Sequence, residues 1–117
     1  MSVSIYHNPR CSKSRQTLAL IEAQNIKPSV IEYLKTPPDK NELKRILELL
    51  QLSARDLLRK KEAEYTELGL DNPDLGEDKI IDIMIKHPKL IERPIVVTDK
   101  GAAIGRPPEN VLEILGD

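Results

Sequence analysis

The chain has 117 residues, with 18 Lys and Arg against 19 Asp and Glu and a formal net charge of −1. That near-balance removes the bulk electrostatic case for nucleic acid or an anionic membrane surface. Three Tyr with no Phe or Trp leave no stacking platform for single strands, and a single Cys excludes both an internal disulfide and a multi-cysteine metal cluster.

The length fits one domain with one modest core. No run reaches the roughly 18 uninterrupted apolar residues of a membrane span, and the N-terminus enters a strand pattern without a signal-peptide layout. A cytoplasmic location is expected, because a free thiol survives in a reducing compartment.

Val3, Ile5 and His7 alternate, which predicts a short strand ended by the turn signal Asn8-Pro9. Leu18, Ala19, Leu20 and Ile21 predict a helix over about 13–24, with Cys11 or Ser12 at its start and Asn25 and Pro28 closing it. Val30 to Tyr33 reads as a second strand, so the opening is a βαβ unit with a parallel pair. Asp39 with Glu42 resembles a capping box, and Leu43, Ile46, Leu47 and Leu50 follow at helical spacing. Ser53 with Asp56 repeats the start signal, and Glu62 to Leu68 predicts a short helix stopped by Gly69. After the loop Asp71 to Gly76, Ile80, Ile81, Met84 and Ile85 mark another helix, ended by Pro88.

The last third is different. Ile95 to Thr98 is β-branched and predicts a buried strand, with a tight turn at Asp99 to Gly101 and an antiparallel return over Ala102 to Ile104. Pro107-Pro108 would open a final helix with Val111, Leu112 and Leu115 inward. The order is β-α-β, several helices, then β-β-α. That predicts an α/β chain with a thioredoxin-like mixed sheet and an inserted helical cap region at about 39–90, all within a single domain over 1–117. Another α/β sandwich topology stays open on this evidence.

Cys11 carries the chemistry. It lies at a helix start beside Arg10, Lys13 and Arg15, a setting that brings a thiol pKa down to roughly 3.5–7.5 and favours the nucleophilic thiolate. The other reading is a buried cysteine acting as a small hydrophobe. Cys11 to Ser14 has the Cys-x-x-Cys spacing with serine in the second position. A dithiol site resolves its own mixed disulfide; this chain must borrow the second thiol. A phosphatase-type loop needs arginine six positions after the cysteine, and Thr17 stands there. Arg59, Arg93 and Arg106 are the candidate oxyanion ligands, two of them fixed in extended backbone by a following proline. Taken alone, each reads first as a solvated surface arginine, and spacing does not show that the three converge. Ser14 suits either a hydrogen bond to the thiolate or plain first-turn polarity, and His7 either the thiol's ionisation or a structural role. His7 and His87 have no spacing that suggests a shared metal.

Ile5 to Arg15, Leu57-Leu-Arg-Lys60, Glu92-Arg-Pro-Ile-Val-Val97 and Gly105-Arg-Pro-Pro108 occur in the order of four motifs of one family. The chain resembles, over essentially its whole length, the glutaredoxin-linked arsenate reductases of bacteria, in particular short chromosomal relatives without a long C-terminal tail. The resemblance implies reduction of arsenate to arsenite. Cys11 would attack arsenate, and Arg59, Arg93 and Arg106 would hold the oxyanion. His7, Ser14 and Arg15 would support the thiolate, and Pro94 would match the family's cis-proline. It further implies glutathione as co-substrate, glutaredoxin as partner, no bound cofactor or metal, and no nucleic-acid or membrane partner; a monomer is expected. Two alternatives share the fold. One is an Spx-like regulator that binds the RNA polymerase α subunit, whose Cys-x-x-Cys switch Ser14 would remove. The other is a monothiol glutathione-dependent oxidoreductase with another substrate.

Overall fold

A computed structural model describes residues 2–116. Four strands form one mixed sheet among the described residues, in the order β2-β1-β3-β4. They are β1 (Val3–Tyr6), β2 (Ser29–Ile31), β3 (Ile95–Thr98) and β4 (Gly101–Ile104). β1 pairs β2 in parallel, with Ile5 opposite Val30, and pairs β3 antiparallel, with Ile5 opposite Val96. β3 and β4 form a hairpin in which Thr98 faces Gly101, so the loop is only Asp99-Lys100. This is the thioredoxin-like arrangement expected from the element order.

The chain divides into two compact units: residues up to Thr36 together with those from Arg93 onward, and Pro37–Glu92. The first holds the sheet and α1 (Ser12–Ala23). Its core is Val3 and Ile5 from β1, Val96 from β3, Ile21 from α1, and Val111 and Leu115 from the C-terminal segment. Each such aliphatic side chain, removed from water, contributes roughly 1.5–3 kcal/mol. β1 is buried on both faces, as Tyr6 is covered as well as Ile5. Asn25 ends α1 in the left-handed region at φ 61°, a conformation asparagine tolerates.

The last helix departs from its pattern. Pro108–Val111 winds as a 3-10 turn before the short α6 (Leu112–Leu115). In a 3-10 turn residues three apart eclipse, so Pro108 and Val111 both face inward. Leu115 follows one α-turn later, and Leu112, expected inside, is 42% exposed. The Arg93–Pro94 peptide is cis, as the resemblance implies; Arg106–Pro107 is cis as well.

The second unit is helical: α2 (Lys40–Leu50), α3 (Ala54–Leu57), α4 (Ala63–Glu67) and α5 (Glu77–Lys86). Asp39 caps α2 by accepting from the Glu42 N–H at 2.8 Å. Ser53 and Asp56 make a full capping box on α3. Leu43, Ile46 and Leu47 of α2 are buried, as are Ile80, Ile81 and Met84 of α5, so the i, i+3, i+4 stripes in the sequence are core stripes; Leu50 is only half-buried. Gly69 stops the segment after α4 at φ +70°. Leu58 and Ile91 form an isolated antiparallel bridge. Among the described residues no helix is long and apolar enough to cross a membrane.

Candidate active site

The turn after β1 delivers Cys11 to the start of α1. The Asn8 carbonyl accepts from the Cys11 N–H at 3.0 Å, and the Asn8 side chain accepts from the Arg10 N–H at 3.0 Å. This is the Asx-type local bonding for which asparagine is favoured in turns. Arg15 donates from Nη1 to the Pro9 carbonyl at 2.9 Å and ties the turn to the helix. Cys11 is the N-cap residue of α1 in extended backbone, φ −94° and ψ 124°, and its carbonyl accepts the first helical bond from Arg15 N–H at 3.0 Å.

Cys11 is buried, 8% exposed. Burial acts most strongly and raises its pKa. The backbone N–H of Ser14, the Arg93 guanidinium through hydrogen bonding and charge, and the N–H of Lys13 act against it, and the balance lies below the ordinary thiol value. The sulfur makes no regular cap bond; the first-turn amides nevertheless favour its charged form. Arg106 approaches with Nη2 at 3.4 Å from Sγ and donates from Nε to the Arg93 carbonyl at 2.8 Å. One planar guanidinium thus bridges the sulfur and the backbone of the other arginine.

Ser14 is fully buried. Its Oγ lies 2.7 Å from His7 Nδ1 and accepts from the Asn8 N–H at 3.0 Å. The hydroxyl therefore serves the turn and the imidazole, and Ser14 reaches the thiol through its backbone. Burial lowers the His7 pKa; Glu32 opposes this and Arg15 adds to it. The Ser14 hydroxyl and His7 Nδ1 share this hydrogen bond, and the imidazole tautomer decides which of them donates.

The sheet unit thus gathers Cys11, His7, Ser14, Arg15, Arg93 and Arg106. Arg59 belongs to the helical unit. Its N–H donates to the Leu90 carbonyl at 2.8 Å, and its guanidinium pairs with Glu92 at 2.7 Å and Glu62 at 3.3 Å. Glu92 and Asn8 escaped the sequence reading as site-shaping residues. Asn8 was visible only as half of a turn signal, whereas Glu92 is 33 residues from its partner and no local pattern announces it.

A model of the ArsC family matches residues 6–114. The chain belongs to the ArsC family. Among its ArsC relatives, a protein named arsenate reductase from Neisseria meningitidis serogroup B (strain ATCC BAA-335 / MC58) is 51% identical over 114 residues, 97% of each chain. The uncharacterized protein YfgD of Escherichia coli (strain K12) is 53% identical over 115 residues, again 97% of each. A solved structure of arsenate reductase from Vibrio cholerae superposes with a TM-score of 0.95 at 56% identity, covering 97% of this chain and 98% of that one.

Proposed function

We propose that this ArsC-family protein reduces arsenate to arsenite with glutathione, and that Cys11 is its nucleophile. The observation that carries the reading is a lone thiol at a helix start, depressed in pKa, with Arg106 Nη2 at 3.4 Å from its sulfur. Arsenate and a thiolate repel each other; guanidinium groups beside the sulfur offset that repulsion and grip the oxygens in planar pairs. Relatives of about half-identical sequence that are named arsenate reductases support the substrate.

In the proposed cycle the Cys11 thiolate forms an S–As bond and one As–O bond breaks, the oxygen leaving as water after protonation. Glutathione thiolate then joins its sulfur to Cys11. The S–As electron pair stays on arsenic, which falls from As(V) to As(III) and departs as arsenite. Cys11 is left as a mixed disulfide with glutathione, which glutaredoxin reduces by thiol exchange. Ser14 in the second position of the Cys-x-x-Cys spacing makes the external thiol obligatory. Arg93 and Arg106 hold the oxyanion. Arg59 keeps the same role on its motif, and His7, Ser14 and Arg15 support the thiolate by shaping the turn. The cycle uses no bound cofactor or metal, needs one protomer, and belongs in the cytoplasm, where glutathione is reduced.

The test is NADPH consumption coupled through glutathione reductase and glutaredoxin, with arsenate added or omitted. Arsenate-dependent consumption is expected. Consumption that arsenate never stimulates, with a range of glutaredoxins, overturns the substrate. Turnover of a glutathione mixed disulfide in its place would favour a general monothiol oxidoreductase.

A further inference from the structure

Gly105 is buried between β4 and Arg106, and no left-handed backbone angle calls for glycine there. Space does. A Cβ at this position would lie 2.9 Å from Pro94 Cγ and 2.9 Å from Thr17 Cγ2, and closer still to Thr17 Oγ1. Thr17 is fully buried on α1, the helix that Cys11 caps. Its hydroxyl donates to the Lys13 carbonyl at 2.8 Å and lies 3.4 Å from the Gly105 carbonyl.

The two arginine segments are also tied to each other. Gly105 N–H donates to the Pro94 carbonyl at 2.9 Å, and Arg106 Nε donates to the Arg93 carbonyl at 2.8 Å. Two hydrogen bonds therefore tie Arg93-Pro94 to Gly105-Arg106, and Thr17 is where these segments rest on α1. We propose that Thr17 and Gly105 are positioning residues for Cys11: the absent side chain at 105 lets Thr17 seat both arginine segments against α1, and this seating sets the reach of Arg106 to the sulfur. A guanidinium 3.4 Å from Sγ is within hydrogen-bond distance of sulfur, and an outward shift of the segment lengthens and weakens that contact. The inference rests on Cys11 being the reactive thiol and does not depend on arsenate being its substrate.

The test is the pH profile of Cys11 alkylation by iodoacetamide, read beside thermal unfolding. Gly105→Ala forces the segment off Thr17 and is expected to move the midpoint upward by about one unit, toward a free thiol. Thr17→Ala removes the seat without a clash and should move it the same way by less, in a folded protein. Adding Thr17→Ala to Gly105→Ala relieves the contacts with Thr17 and should bring the midpoint part of the way back. Gly76→Ala is the control, since a Cβ there meets nothing within 4 Å, and its midpoint should equal that of the unaltered protein. A purely structural role would lower the unfolding temperature and leave the midpoint in place. Wild-type midpoints in folded Thr17→Ala, or in folded Gly105→Ala, overturn the proposal. Because no arsenate enters this assay, a failure here is distinct from a failure of the coupled reduction assay.

Discussion

The two units of the chain use their cations differently. In the helical unit Lys40 pairs with Asp82, Lys44 with Asp78, Lys89 with Glu64, and Arg59 with both Glu62 and Glu92, while Arg55 donates to the Leu70 and Asn72 carbonyls. In the sheet unit Lys35 pairs with Glu32, Arg15 donates to the Pro9 carbonyl, and Arg106 donates to the Arg93 carbonyl and the Cys11 sulfur. A carboxylate orients a guanidinium and offsets part of its charge. A carbonyl orients it and leaves more of the charge to act elsewhere; at Cys11 the Arg93 guanidinium favours the thiolate and Arg106 Nη2 lies 3.4 Å from the sulfur. What sets the sheet unit apart is an arginine held on a carbonyl that also reaches the thiol.

The largest effect expected from breaking this distinction is at the thiol. Cys11→Ser should lower coupled arsenate reduction on the order of 10³-fold or more, the scale for losing a covalent nucleophile. Arg106→Ala should follow at about 10²-fold, the loss typical of one oxyanion donor. Arg106→Lys should recover little, because an ammonium cannot span sulfur and carbonyl as a planar fork does. A loss no larger than that of an exposed lysine substitution would place the two kinds of arginine on one footing.

Arg59 tests the other side. Its pairs are partly shielded, with side chains 19–27% exposed. Arg59→Met should therefore cost about 1 kcal/mol of stability, as the two glutamates lose their counter-charge. A double-mutant cycle with Glu92→Gln in denaturant unfolding should show coupling of about 0.5–1 kcal/mol. Zero coupling would mean that the pair orients Arg59 without stabilising the unit.

The smallest effect is a pH slope. The folded state lowers the His7 pKa through burial, with Glu32 opposing and Arg15 adding. The unfolded chain then binds the proton more readily, so stability rises with pH between the folded and unfolded His7 values and is lost on acidification through that window. His7→Asn should flatten the slope of unfolding free energy below about pH 6.5. An unchanged slope would assign the acid sensitivity to other groups.

Much of this arrangement was legible in the chain. Capping signals placed α2 and α3, β-branched residues placed β3, and the Cys11 segment declared itself by its cations. What stayed hidden is tertiary. Leu112 fits an inward stripe only if the last helix is α throughout, and the 3-10 turn at Pro108–Val111 rotates it outward. The buried stripe of α1 is Ser14, Thr17 and Ile21; two of the three are polar, so a hydrophobic pattern could not find them. Ser14 faces His7 and Asn8, and Thr17 faces Gly105, 88 residues away. Gly105 stands out in the chain only as the start of the Gly105-Arg-Pro-Pro108 motif, and its place in the fold demands a residue without a Cβ.

The most direct measurement is the intact mass of the protein after incubation with arsenate and reduced glutathione, with glutaredoxin withheld. Reduction by an external thiol predicts one glutathionyl group per chain, mapped to Cys11, appearing only when arsenate is present and removed when glutaredoxin is added. An unmodified Cys11 while arsenite accumulates, or the same modification without arsenate, would contradict it.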